Sequence, residues 1–279
     1  MLLFLRSRLW LLTASALSAV AGAIVVLLIE VSVVGWKRSS LKKLFRPSAS
    51  IRRDIVSYAL DATGVLAIAG NLAALGTAVY FGHLARQYFG LNLLHSIRSV
   101  VAQNLALIFV IGFFDYWFHR FMHSVPWMWE IHKYHHSATE MSVLTARRDS
   151  FLVVPLATFW KAMPFAVLGI PSMYPIFAAC ISGHAMLIHS ELDWDFGWVG
   201  RWLLISPHDH RVHHSVDEQH QGKNYAFLLP VWDQVFGTFY KERDKVSAIG
   251  VGESYYNQNP YLREMAYSLQ STFGKIINR

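Results

Sequence analysis

A single cysteine, Cys180, is all the thiol in 279 residues. That count excludes an intrachain disulfide and any CxxC metal or redox pair. In its apolar run, Cys180 reads as a small buried hydrophobe. Charge is scarce too. Only 15% of residues are charged while 54% are hydrophobic, too apolar a balance for an ordinary soluble domain. HExxH is missing, which argues against a zincin-type protease. Phosphate-cradling glycine loops (GxxxxGK[ST], GxGxxG) are missing as well, and nucleotide chemistry loses its support with them. The net charge of +7 would suit nucleic acid. Its basic residues, however, cluster beside apolar segments, which fits anionic lipid headgroups better. A membrane is the expected partner, and nucleic acid is not.

Long apolar runs are what the chain does have. Residues 9–35 form the first, with Glu30 its only charge, and a membrane helix needs roughly 20 such residues. Arg6, Arg8 and the Ala-Ser-Ala at 14–16 faintly resemble a signal peptide. The run continues well past that point, so an uncleaved anchor is expected. Residues 36–54 interleave Lys37, Arg38, Lys42, Lys43, Arg46, Arg52 and Arg53 with apolar side chains. That pattern predicts a cytoplasmic segment lying along the membrane surface. Further spans are expected over 56–81, 98–118, 151–170 and 172–189. The fold class is therefore all-α, with about four to five polytopic membrane helices and a cytoplasmic histidine-box cap. Residues 1–54 read as anchor and basic segment, 55–258 as the main membrane domain and 259–279 as an amphipathic helix. Asn259-Pro260 opens that last helix, and Leu262, Met265, Leu269, Phe273 and Ile276 give it an apolar stripe.

The fourteen histidines are unevenly spread. Five fall in DYWFHRFMHSVPWMWEIHKYHH, which runs from Asp115 to His136. His119 and His123 are one helical turn apart; His132, His135 and His136 follow at i, i+3, i+4, again on one face. The second pattern returns as His210, His213 and His214, and His189 ends an apolar run on the same side of the expected bilayer. Nine imidazoles exceed one tetrahedral ion and are enough for two metals. Imidazole suits iron, zinc, copper and nickel. His184 is a tenth candidate, although five residues before His189 it points about 140° away on a helix. Arg120, Arg147, Arg148 and Arg211 read as solvated or snorkelling cations beside a bilayer.

The string DYWFHRFMH, HKYHH, HRVHH resembles the sterol desaturase/fatty acid hydroxylase superfamily of membrane diiron enzymes. The likeness covers roughly 110–240 and includes IHSEL, SPHDHRVHH, Asn224-Tyr225 and WDQVFGT. The resemblance implies that these histidine boxes hold two iron ions (Fe2+/Fe3+), with O2 as co-substrate. It further implies that a lipid C–H bond is hydroxylated or, less often, desaturated. Electrons would come from a separate ferredoxin, cytochrome or reductase. An all-histidine pair of cations calls for carboxylates behind the ligands; Asp115, one turn before His119, is the first candidate, with Glu191 and Asp209 behind it. Two other readings stand beside this one: a histidine-rich metal transporter and a bis-histidine haem protein.

Overall fold

A computed structural model describes residues 20–64, 80, 83–84, 87–88, 93–168, 174–252 and 255–277. Among these the secondary structure is helical, with one isolated bridge between Ser215 and Ile249. The apolar N-terminal run forms a helix, α1 (Val20–Val34). Glu30 is completely buried, and its carboxylate accepts from the amide and hydroxyl of Ser40 and from the Glu191 amide, at 2.7, 2.8 and 2.6 Å. An acid in an apolar helix is costly without donors; here two donors from Ser40 and one from Glu191 tie α1 both to the basic segment and to the stretch after His189.

The basic stretch folds differently from a simple surface segment. It forms a short helix, α2 (Ser40–Phe45), and a longer one, α3 (Ala49–Ala62), capped by Ser48 on the Ile51 amide at 3.1 Å. The expected 54/55 boundary falls inside α3, and Ile51, Asp54 and Ser57 are buried there. The expected span at 56–81 begins in α3; residues 65–79 lie outside the described residues.

The longest helix is α4 (Val100–Ser124), 25 residues of mean apolar character. At 1.5 Å per residue it is roughly 37 Å long, enough to cross a bilayer core of about 30 Å. Only 28% of its apolar window is buried within the protein, whereas the core helix of a soluble domain is mostly covered. It is the one described helix long and apolar enough to cross a membrane. Val125 then takes an extended conformation, as a residue before proline must. Pro126 occupies the first position of α5 (Pro126–His136), where its missing N–H costs nothing. One residue thus turns the chain between the two halves of the histidine-rich stretch.

The apolar hairpin forms α6 (Val153–Leu168) and α7 (Tyr174–Ile188). With 16 and 15 described residues, each is about 23 Å long, short of a full crossing. Cys180 is exposed on α7 rather than buried as its apolar run suggests. Gly22 of α1 and Gly183 of α7 let the two backbones close up: a Cβ on Gly22 would meet the Gly183 Cα at 3.3 Å. Ala23, Val26, Val143, Leu144 and Met186 form the core around this crossing. Short helices α8 (Gly197–Trp202), α9 (Pro207–His213) and α10 (Val231–Val235) follow. The last helix, α11 (Tyr261–Ile277), covers α5 through Met265 and a Ser268 hydroxyl that donates to the Glu130 carbonyl at 2.8 Å.

Candidate metal centre

Four elements bring the histidines together. The end of α4 carries His119 and His123. Helix α5 carries His132, His135 and His136. Helix α9, begun by Pro207 and capped by Ser206 on the Asp209 amide at 3.1 Å, carries His210 and His213 and ends at His214. His189 arrives from the end of α7, its Nδ1 donating to the Ala185 carbonyl at 2.7 Å.

The nine imidazoles sort into two groups. His119, His123, His132, His136 and His213 form one; His135, His189, His210 and His214 form the other, with candidate ligand atoms within 4.8 Å of one another in each. Each HxxHH box divides in the same way. His132 and His136, four apart, join the first group while His135 joins the second. His210 and His214, also four apart, join the second while His213 crosses to the first. Two interlocked boxes therefore supply both groups.

In the first group, Nε2–Nε2 separations are 3.1 Å for His119–His132, 3.0 Å for His119–His213 and 3.2 Å for His132–His136. In the second they are 2.9 Å for His189–His210, 3.1 Å for His135–His214 and 3.2 Å for His210–His214. Ligand nitrogens about 2.1 Å from one metal sit roughly 3.0–3.4 Å apart in octahedral or tetrahedral arrangements. The donor set thus fits one ion per group.

The other ring nitrogen fixes which one faces inward. His119 Nδ1 lies 2.6 Å from the Tyr225 carbonyl, His213 Nδ1 2.8 Å from the Lys223 carbonyl and His135 Nδ1 3.3 Å from the Arg148 carbonyl. A carbonyl only accepts, so these Nδ1 atoms carry the proton and leave Nε2 with its lone pair. The sequence points to carboxylates for this task, and the structure supplies backbone carbonyls. Asp209 instead accepts from Ser206 and Arg243 at 2.6 and 2.5 Å, and Glu191 from Lys43 at 2.7 Å. Asp115 lines the cavity beside His119.

The loop that offers the Tyr225 and Lys223 carbonyls is itself held by Asp233. Its buried carboxylate accepts from the Tyr225 and Ala226 amides, both at 2.8 Å, and from the Thr238 hydroxyl at 2.7 Å. Burial pushes this acid up to about 6, against the pull of those donors. Asp233 lies in the WDQVFGT stretch, so its position was visible in the sequence but its task was not. Asp233→Ala is expected to weaken metal binding by roughly 10–100-fold, the usual effect of releasing a ligand's orienting partner. Metal titration of the purified chain checks this, with full affinity as the contrary result.

Arg148 is the second unforeseen residue. It is completely buried rather than solvated. Its guanidinium donates to Asp54 at 3.0 Å, to the Tyr134 carbonyl at 3.0 Å and to the Ser137 hydroxyl at 2.8 Å. Those last two positions flank His135 and His136. Arg120 and Arg211 instead bind the Tyr116 hydroxyl and the Ser190 carbonyl, each at 2.9 Å.

His184 stands outside both groups. It is buried on α7. His208, beside α9's first turn, pairs through Nδ1 with Asp193 at 3.1 Å, and His220 pairs with Ser215 at 2.9 Å.

Two openings reach the groups. A cavity of about 120 Å3 touches histidines of both groups, among them His119, His132, His135 and His189, and is walled by Phe118, Met122, Val153, Ala157 and Phe227. A second, of about 310 Å3, touches only His123, His136 and His213 and is bordered by Ser215, Gln221 and the glycines at 222, 250 and 252. The first is shared by both groups; the second belongs to the five-histidine group.

Burial holds the imidazoles below their ordinary value of 6.5: His135 at about 3, His213 at about 4, and His132, His136, His210 and His214 well below it. The unfolded chain therefore binds more protons than the folded one between pH 6.5 and about 4. Stability of the metal-free protein is full above 6.5 and falls with acid, by up to about 1.4 kcal/mol per pH unit for each such histidine. Melting temperatures measured from pH 7.5 to 4.5 are expected to drop steadily, and metal should be released over the same range. A flat profile would contradict the buried, neutral ring assignment.

Residues 104–238 match the family described as Fatty acid hydroxylase. Among curated proteins, the chain is 36% identical over 137 residues to Alkylglycerol monooxygenase of Xenopus tropicalis, covering 49% of this chain and 30% of that protein. It is 30% identical over 140 residues to Ornithine lipid hydroxylase OlsE of Rhizobium tropici, covering 49% and 41%. It is 27% identical over 186 residues to Methylsterol monooxygenase 1-3 of Arabidopsis thaliana, covering 60% and 59%. The chain thus spans about a third of the length of the alkylglycerol monooxygenases it matches. No solved structure matches it.

Proposed function

The chain belongs to the sterol desaturase/fatty acid hydroxylase superfamily, and on that premise we propose that it is an iron- and O2-dependent lipid oxygenase. The observation that carries this reading is the meeting of both histidine groups at one apolar-walled cavity. Neutral nitrogen donors with space beside them suit a redox metal that must also admit a small molecule. Two iron ions, one held by each group, would supply the electrons and the open positions needed to insert oxygen from O2 into a C–H bond.

The chain's own residues do the rest. The Tyr225, Lys223 and Arg148 carbonyls hold His119, His213 and His135 with Nε2 inward. Phe118, Met122, Val153 and Ala157 keep water from the cavity and take hydrocarbon, so that a methylene can lie against the histidine rings. Asp115 is the cavity carboxylate we assign to hydrogen bonding beside the ligands. The aqueous approach for electrons from a separate ferredoxin, cytochrome or reductase is the polar opening at His123 and His213. Loop charge supports a multi-pass membrane protein with this site on the cytoplasmic face. The substrate is a sterol, fatty acyl or ether lipid, hydroxylated rather than desaturated, in line with the names of the relatives.

Purified chain supplied with iron, reductant and 18O2 tests the reading against its rivals. Two irons per chain, no Soret band and a lipid product gaining one labelled oxygen are expected. A Soret band would replace it with a haem protein, and metal flux in liposomes without oxygen incorporation would replace it with a transporter.

A further inference from the structure

Away from the metals, a groove of about 360 Å3 is lined entirely by apolar side chains: Phe109, Trp198, Trp202, Leu203, Leu229 and Val231. Around it Trp198 is 66% exposed, Leu203 51% and Val235 62%. Contiguous exposure of this kind is uncommon on surfaces that face water and marks something that covers it. The residues come from α8 and α10, in the stretch whose mixed composition predicts a cap outside the bilayer.

Their packing brings them against the middle of the longest apolar helix. Helix α10 packs on the middle of α4. The Trp232 ring lies 4.6 Å from Phe109 and 5.0 Å from Phe113. Gly112, the midpoint of Val100–Ser124, makes room for it: a Cβ there would meet Leu229 at 3.1 Å and Trp232 at 3.2 Å. Gly112 is seven residues from His119, about 10 Å along the axis towards the centre of α4. The exposed face of α4 continues this surface with Leu105 at 56% and Phe109 at 48%.

We propose that α8 and α10 form a shelf sunk into the leaflet next to the metal centre, and that the groove holds an acyl chain of a bilayer phospholipid. The inference rests on α4 crossing the bilayer, as proposed above. A lipid covers the exposed Trp198, Leu203 and Val235 in continuity with the lipid-facing side of α4. Arg201, exposed at the end of α8, reaches back to the phosphate level as arginines at interfaces do. The shelf also places hydrocarbon beside α4, the helix that carries His119.

Spin labels test the depth. In the iron-loaded full chain with Cys180→Ser, single labels are placed through Trp198→Cys, Val235→Cys, Leu105→Cys and Glu218→Cys, and the protein is reconstituted in phosphatidylcholine vesicles. Collision with O2 is compared with collision with a water-soluble nickel chelate, which hydrocarbon excludes. The ratio at 198 and 235 is expected to exceed that at Glu218, an exposed loop position, by at least about tenfold and to match Leu105. A ratio at 198 and 235 equal to that at 218, with Leu105 still high, overturns the shelf alone. A low ratio at Leu105 as well removes the membrane placement of α4, and the shelf with it. Labels at 198 and 235 shielded from both reagents would mean that protein covers this face, which also overturns the proposal.

Discussion

His135→Ala is expected to cost the chain one of its two metals and to lower lipid turnover by at least about 100-fold, more than losing an orienting partner would. His135 is one of only four nitrogen donors in its group, with Nε2 3.1 Å from that of His214 and 3.5 Å from that of His189. Its removal leaves three ligands around a cavity that cannot shrink, because α5 is pinned on both sides of the gap. The five-histidine group keeps its full set, so metal analysis should read one ion per chain rather than none. His184→Ala is the matched control. That residue is as buried as His135 but belongs to neither group, and both ions should stay. Full metal content and undiminished turnover in His135→Ala would refute the assignment of the site.

The second large effect concerns stability. Arg148 and Asp54 form an ion pair at 3.0 Å in which both side chains are fully buried. Asp54 also accepts from the hydroxyls of Thr145 and Ser142, at 2.6 and 2.9 Å. Burial raises this acid above its ordinary range, while the Arg148 guanidinium and the hydroxyls draw it back. Removing either partner strands the other charge away from water. Arg148→Met or Asp54→Leu alone should therefore cost about 3–5 kcal/mol. The double replacement, which strands no charge, should recover part of the loss. Denaturant unfolding of the metal-free chain measures both, and single variants within about 1 kcal/mol of the parent would contradict the pairing. Because the guanidinium also grips the Tyr134 carbonyl and Ser137, Arg148→Met and the double variant should both bind metal more weakly than their stability alone explains.

What could be seen in the sequence follows from how far each signal reaches. The i, i+3, i+4 spacing of 132/135/136 and 210/213/214 is local, and it marked six of the nine converging rings. The same spacing suggested one face and one destination for each box. The structure splits each box between two groups, because a ring three residues along is turned away from one four residues along. That division depends on where α5 and α9 face each other, which no local pattern contains. Asp54 and Arg148 were further out of reach. Each looks like one of many charges beside apolar runs, and the 94 residues between them hide the pairing. The carbonyls of Tyr225, Lys223 and Arg148 leave no trace in side-chain identity at all. Helix lengths were legible where one run was long, as in α4.

His135 and His136 are neighbours in the chain, yet they belong to different groups. So do His213 and His214. The five-histidine group has four members between 119 and 136 and takes its fifth, His213, from α9, so an ion held there would tie α9 to α4 and α5. His135 and His214 would then already lie close together, whereas the four-histidine group alone would have to be gathered from positions as distant as 135, 189 and 210. The chain-closure entropy for those longer loops is then already spent. Maturation of the centre should accordingly run in a fixed order, with the first ion acting as the template on which the second is assembled.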